Sequence, residues 1–314
     1  MKLVVVNPLS SDRISALEGA APGTSVISCK TVAEAIPLVA DADAIALWGF
    51  QDVEPLLQAG PKIRWVHSLS DGVEKLLTPS MLSRPILLTN SHGVHDRSVS
   101  EHAMALILSF LRRIPEAVRN QDARIWKRPR PELLADKTIA IIGFGGIGRA
   151  IAKRAKAFDT HIIAVKKQIT SELFADEVMD NSQTMDALAK ADIVIAALPS
   201  TPDTEQFFGT AEFNSMKKGA LFINIARASI VDESALLSAL DSGHLSGACL
   251  DVFSKEPLPA DHSFWDHKQI LMTTHIASMI PDFWDRLLLL LKNNLTSFSK
   301  GEPLLNMVDK EKGY

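Results

Sequence analysis

Cysteine is almost missing from this chain: Cys29 and Cys249 are the only two in 314 residues, and they stand far apart. That excludes a disulfide framework and a four-cysteine metal site, and it suits a reducing cytoplasm. Long apolar runs are missing too. The longest, residues 103–111 and 287–291, end at Arg112 and Lys292, far short of the ~18 residues of a membrane span, and read as buried helices. There is no excess of positive charge: 33 basic against 37 acidic residues leave a net charge of -4, which argues against nucleic acid or an anionic membrane as partner. No repeat or low-complexity segment appears. The N-terminal M-K-L-V-V-V-N-P reaches Asn7 and Pro8 too soon for a signal peptide and reads as a first strand. What remains is an ordinary globular composition, 46% apolar and 22% charged, long enough for two domains at ~150 residues each.

The most informative stretch is K-T-I-A-I-I-G-F-G-G-I-G, residues 137–148. Residues 139–142 are continuously apolar, as a strand covered on both faces must be. Gly143, Gly145 and Gly148 then fit G-x-G-x-x-G, and residues 149–158 continue at helical spacing with Ile151, Ala155 and Phe158 on one side. Each glycine has a task in dinucleotide binding: Gly143 permits the tight turn, Gly145 lets a pyrophosphate approach the backbone, and Gly148 lets helix and strand lie close. The phosphates would sit on the helix N-terminus, where unpaired N–H groups and the dipole favour anions. A sharp strand-to-helix turn that binds nothing is the alternative.

Residues 1–90 alternate short strands (3–6, 25–28, 44–47, 65–67, 86–89) with helical segments (33–39, 53–57), a parallel α/β pattern. Asn7-Pro8 stands where a glycine fingerprint would be, so this half is not expected to hold the dinucleotide. Two loops at strand ends, Trp48-Gly49-Phe50 and residues 68–73, are either ordinary turns or ligand contacts. Ser98 caps a long helix running to about Arg113, with Glu101 near its N-terminal dipole. His92, His95 and His102 near this junction lack the spacing of a zinc site, so no metal is expected. The basic R-I-W-K-R-P-R, residues 124–130, reads as a connecting segment lying over a neighbouring surface. About six strands follow from residue 139 to residue 273, with helices between them, in the order of a doubly wound sheet. A long amphipathic helix, residues 282–298, closes at Lys300-Gly301.

An NAD site usually carries an acid about 20 residues past the fingerprint. Here Lys166 and Lys167 stand at that point, where a 2′-phosphate would lie, so charge complementarity favours NADP, with NAD as the alternative. Arg227, Glu256 and His275 stand at or just past later strand ends. The set suits hydride transfer to a 2-oxo acid: an arginine can fork onto carboxylate and carbonyl oxygens, and a histidine held by a glutamate can protonate the new alcohol. Spacing alone does not assign these roles; taken singly, Arg227 and Glu256 read as surface groups and His275 as a satisfied buried ring.

The fingerprint, L-P-S-T-P-D-T (198–204), N-I-A-R-A-S-I-V-D-E (224–233), A-C-L-D-V-F-S-K-E-P-L-P (248–259), T-T-H-I-A-S (273–278), S-E-H-A-M-A-L (100–106) and the ending G-E-P-L-L-N-M-V-D together resemble the D-isomer-specific 2-hydroxyacid dehydrogenases. The resemblance implies two Rossmann-like or flavodoxin-like parallel-sheet α/β domains with the active site in the cleft between them. Residues 1–97 plus 281–314 would form the substrate-binding domain and residues 98–280 the dinucleotide-binding domain. It makes Arg227, Glu256 and His275 the catalytic trio. It assigns Gly143, Gly145, Gly146, Ile147, Gly148, Lys166, Lys167, Pro199, Thr204, Ile225, Ala226 and Asp251 to the cofactor. Ser70, Asp71, Gly72 and Val73 would meet the substrate carboxylate through backbone N–H groups. Asp71 departs from the small residue common there and would repel an anion unless it points away or pairs. The implied protein is a cytoplasmic reductase of glyoxylate, hydroxypyruvate or another small 2-oxo acid, and a homodimer. A non-catalytic dinucleotide sensor, like the corepressors related to this family, is the alternative; a formate dehydrogenase is a third reading, but that branch has glutamine beside the histidine, and Glu256 counts against it.

Overall fold

The computed structural model describes residues 1–313, which form two compact units: Met1–Val94 with the segment from Ile280 onward, and His95–Met279.

The first unit holds a five-stranded sheet of β1 (Lys2–Val6), β2 (Ser25–Cys29), β3 (Ala44–Leu47), β4 (Trp65–Ser68) and β5 (Leu87–Thr89). All neighbours are parallel, in the order β2-β1-β3-β4-β5, the flavodoxin-like winding. β3 and β4 are buried at every position, because a parallel sheet is covered on both faces. One cover is the helix Phe283–Lys300, whose Leu287, Leu291 and Leu295 pack among Leu3, Val5 and Trp65. Truncating any of these leucines to alanine would cost about 2–5 kcal/mol. Gly301, at φ 71°, ends the helix as expected of a left-handed cap. The chain then returns to β5, where Met307 bridges Thr89 in antiparallel sense.

The second unit holds seven parallel strands: β6 (Thr138–Ile142), β7 (His161–Val165), β8 (Glu177–Met179), β9 (Ile193–Ala196), β10 (Leu221–Asn224), β11 (Gly247–Leu250) and β12 (Ile270–Met272). Their order is β12-β11-β10-β9-β6-β7-β8, a doubly wound sheet whose direction of winding reverses between β6 and β9. One more strand is present than the periodicity shows. β8 is three residues long and only half-buried at two of them, so its pattern is too short to read.

Helix boundaries also differ from expectation. Asp96–Leu111 starts before Ser98, with His95 as its cap residue. The Ser98 hydroxyl instead donates back to the His95 carbonyl at 3.1 Å, and Ser100 to that of Asp96 at 2.5 Å. Serines satisfied this way sit inside a helix rather than capping it. The helix after the glycine turn is Gly146–Ala155, continued by a 3-10 turn over Lys156–Phe158; Ile151 and Ala155 are buried, while Phe158 is exposed. Residues 124–130 form no regular element, and Trp126 is 93% exposed.

Candidate active site

In the second unit the strands run parallel, so every residue that follows a strand directly stands at one edge of the sheet. That edge collects the glycine turn after β6, Lys166 after β7, Pro199 after β9, Arg227 after β10, Asp251 and Glu256 after β11, and His275 after β12.

Gly143 has φ 97°, and a Cβ there would overlap the Ala197 carbonyl and lie 2.8 Å from the Leu198 nitrogen. A Cβ on Gly148 would fall 2.5 Å from the Gly143 oxygen. Both glycines are therefore demanded by packing inside the protein. Gly145 is different: a Cβ there meets nothing within 4 Å. Gly146 opens the helix beside the Asp96 carboxylate, which its Cβ would strike. A bare backbone at Gly145, at the mouth of a ten-residue helix, suits the close approach of a pyrophosphate.

Past β10 the turn is locked by Asn224, 2% exposed, whose Nδ2 donates to the Arg227 carbonyl at 3.0 Å while its Oδ1 accepts from the Ala226 N–H at 3.1 Å. The half-buried Arg227 donates from Nη1 to the Ala226 carbonyl at 2.8 Å. Past β11, Glu256 accepts the Phe253 N–H on Oε1 at 2.9 Å. Its Oε2 lies 2.7 Å from His275 Nδ1. Both side chains are partly open, 45% exposed for His275 and 38% for Glu256. With Nδ1 held by the carboxylate, Nε2 is the ring atom left to exchange a proton.

His275 adopts φ 53°, a left-handed conformation uncommon outside glycine. The reason lies beneath it. Asp251 is 1% exposed and gathers the residues on either side: Oδ1 accepts from the Thr273 hydroxyl at 2.5 Å and the Ile276 N–H at 3.0 Å, and Oδ2 from the Ala277 N–H at 3.0 Å. His102 Nε2 lies 2.9 Å from Thr273 Oγ1 and 3.5 Å from Asp251. Burial opposes the charge on Asp251, but His102, Thr273 and the two N–H groups outweigh it and hold the carboxyl below its usual range. This carboxylate organises the His275 loop.

In the first unit the residues after β4 are shaped by their carbonyls. Ser70 O accepts from the Ser91 N–H at 3.1 Å, Asp71 O from Asn90 Nδ2 at 2.8 Å, and Gly72 O from the hydroxyls of Ser68 and Ser70 at 2.8 and 3.2 Å. In a trans peptide the N–H points opposite to the C=O. Each N–H of Asp71, Gly72 and Val73 is therefore turned away from the partner that holds the preceding carbonyl. Asp71 does not stand bare beside them, for its Oδ1 lies 3.1 Å from His92 Nδ1. Beneath the loop, the fully buried His67 contacts Thr89 Oγ1 at 2.8 Å and Ser91 Oγ at 3.3 Å, and burial lowers its pKa to about 3.

Residues 104–277, more than half of the chain, match the description "D-isomer specific 2-hydroxyacid dehydrogenase, NAD binding domain". The chain belongs to the D-isomer specific 2-hydroxyacid dehydrogenase family. It is 34% identical to the glyoxylate reductase of Thermofilum pendens over 82% of this chain and 78% of that protein. It is 29% identical to the D-3-phosphoglycerate dehydrogenase of Archaeoglobus fulgidus over 98% of this chain but spans only 59% of that relative's length. Among solved structures, the NADPH-dependent glyoxylate/hydroxypyruvate reductase of Sinorhizobium meliloti, in complex with NADP and sulfate, superposes with a TM-score of 0.87 at 27% identity, covering 100% of this chain and 99% of that one.

Other residues expected at the site stand in settings that the sequence motifs do not reveal. Thr204 Oγ1 is 2.7 Å from the Pro199 carbonyl and accepts the Thr201 N–H at 2.8 Å, so it braces the turn after β9. Lys166 is ion-paired with Glu172, a carboxylate that the strand-end motif does not include. Arg149 Nε also bonds Glu172, at 2.8 Å. Of the two lysines expected where a 2′-phosphate would lie, Lys166 thus has this acidic partner. Of the histidines near residue 100, His92 turns to Asp71 and His102 to Thr273. Among the described residues no cluster of three His, Cys, Asp or Glu could hold a metal, and no helix is long and apolar enough to cross a membrane.

Proposed function

We propose that this protein reduces a small 2-oxo acid to the D-2-hydroxy acid with NADPH, NADH serving as well, and that glyoxylate and hydroxypyruvate are the first substrates to test. The observation that carries the reading is the Glu256–His275 contact of 2.7 Å at the same sheet edge as the glycine turn. Family membership supports the reaction class, and the names of the glyoxylate reductase relatives support the choice of substrate.

In this reading Arg227 forks onto the carboxylate and carbonyl oxygens of the substrate and polarises the carbonyl. Backbone N–H groups among Ser70, Asp71, Gly72 and Val73 take the carboxylate. Gly143–Gly148, with Pro199, Thr204, Ile225 and Ala226 nearby, would hold the dinucleotide, which would supply a hydride. His275 gives its Nε2 proton to the developing alkoxide, and Glu256 keeps the ring in place through Nδ1. Asp251 acts on the nicotinamide end through the loop it holds.

The test is a panel of glyoxylate, hydroxypyruvate, pyruvate, phenylpyruvate and branched 2-oxo acids, each with NADPH and NADH, followed by nicotinamide absorbance, with the chirality of the product determined. Failure of every 2-oxo acid with both nucleotides rejects the reading. The substrate domain proposed is residues 1–97 plus 281–314 and the dinucleotide domain residues 98–280. The assembly proposed is a homodimer seated on the exposed apolar side chains Ile125, Trp126 and Leu133; light scattering of Trp126→Glu checks it, a monomer being the expected result. The compartment proposed is the cytoplasm, which suits two buried free thiols.

A further inference from the structure

Lys166, the first residue past β7, donates from Nζ to Thr170 Oγ1 at 2.8 Å and is ion-paired with Glu172. From the helix Gly146–Ala155, Arg149 closes the other side: Nε and Nη2 each lie 2.8 Å from a Glu172 oxygen. The Thr170 hydroxyl also reaches Glu172, at 3.2 Å. Glu172 is 8% exposed and Lys166 15%, while Arg149 is 49% exposed. The bidentate bond from Arg149, against a smaller opposing effect of burial and helped by Lys166, pulls the Glu172 carboxyl down to about 2. It is ionised throughout the range in which a dehydrogenase is assayed.

The position at the end of the second strand is where a doubly wound domain meets the ribose 2′ group of its dinucleotide. A lone acid there selects the diol of NAD, and free cations there select the phosphate of NADP. This chain places an acid and a cation there together, paired with each other. A 2′-phosphate that approaches Lys166 also approaches the carboxylate that holds it, and the repulsion subtracts from the attraction. A ribose diol meets no such penalty, because it can donate to Glu172.

We infer that Glu172 is a specificity-determining residue, which holds Lys166 back from a 2′-phosphate and so keeps NADH in use beside NADPH. The inference rests on the dinucleotide reading above and goes beyond it, since it assigns to a residue outside the fingerprint the balance between two cofactors.

The experiment measures KM for NADPH and for NADH at saturating 2-oxo acid. Glu172→Gln removes the charge and keeps the shape, and Arg149 is exposed enough to turn to water. NADPH KM is expected to fall about tenfold, the size of one unit charge removed from beside a phosphate dianion in a watery setting, with NADH KM unchanged or raised. Glu172→Asp keeps the charge and is expected to leave the ratio of the two KM values near native. In the double variant Glu172→Gln with Lys166→Gln the gain is expected to vanish. Thr170→Asp, at an exposed loop position, adds a second carboxylate and is expected to raise NADPH KM alone, which keeps the inference testable should Glu172→Gln not fold. A ratio unmoved by both Glu172→Gln and Thr170→Asp, or moved equally by Glu172→Gln and Glu172→Asp, overturns it. A native protein that uses neither nucleotide overturns the dinucleotide reading instead.

Discussion

The two units carry the same kind of sheet, yet the places where their winding reverses are built in opposite ways. In the first unit the reversal lies between β1 and β3, and the chain fills it. Trp48, just past β3, donates its indole N–H to Asn7 Oδ1, just past β1, at 3.1 Å. Its ring lies 6.1 Å from Phe50, 6.0 Å from Phe283 and 6.1 Å from Trp284. In the second unit the reversal lies between β6 and β9, and side chains are withheld from it. Gly143 packs against Ala197 and Leu198, just past β9, and Gly145 leaves the backbone bare. Parallel winding makes a crevice at every such reversal. Local residues decide whether it is plugged by aromatics or kept for a ligand, so topology marks where a site can be and composition decides which one is used.

This contrast can be broken at its strongest point first. His275→Gln, at the glycine-bearing edge, is expected to cut turnover by roughly 10²–10⁴, the range of a general acid–base group, with little change in dinucleotide affinity. Near-native turnover in single-turnover and steady-state assays would take His275 out of the mechanism. The next effect belongs to the first unit. His67 stays neutral in the folded state down to about pH 3, whereas its unfolded counterpart protonates near 6.5. Below that value the unfolded state binds the extra proton, so stability rises with pH across this window and is lost as pH falls, by at most ~1.4 kcal/mol per unit from this group. Urea titrations between pH 7 and 4 on the native chain and a folded His67→Gln variant should differ in slope; parallel curves would refute the assignment.

Two glycine substitutions sharpen the comparison within the second unit. Gly143→Ala forces a Cβ onto backbone at positive φ, and a loss of ~1–3 kcal/mol is expected by denaturant unfolding, together with loss of dinucleotide binding. Gly145→Ala meets only open space and is expected to change stability by less than ~0.5 kcal/mol, as innocuous substitutions do, while raising the KM for both nucleotides. Should Gly145→Ala leave nucleotide KM untouched, the bare backbone there would not be serving a pyrophosphate. Trp48→Ala in the first unit is the matching control, expected to lower stability without creating nucleotide binding.

Much of this was legible in the chain itself, and the legible parts are local. The strands read as apolar runs because a parallel sheet buries both faces over four or five consecutive residues. The glycine turn read as a site because strand, glycines and helix lie within about twenty positions. The family motifs carried the trio for the same reason, each being a short strand end with its following loop. Ser98 as a cap and the length of the helix after the turn were misread, since one serine has two ways to satisfy itself, and helix ends are settled by neighbours.

What the sequence alone determined is therefore the periodicity of the elements, the turn chemistry at Gly143–Gly148 and the presence of Arg227, Glu256 and His275 at strand ends. Tertiary structure decided the partners. Glu172 meets Arg149 across 23 positions, Asp251 meets Ala277 across 26, and His102 meets Thr273 across 171. Charge and hydrogen-bonding capacity are written in residue types, but which charge is cancelled, which backbone is held in a left-handed turn and which carbonyls are drawn inward depend on distances that only the folded chain sets.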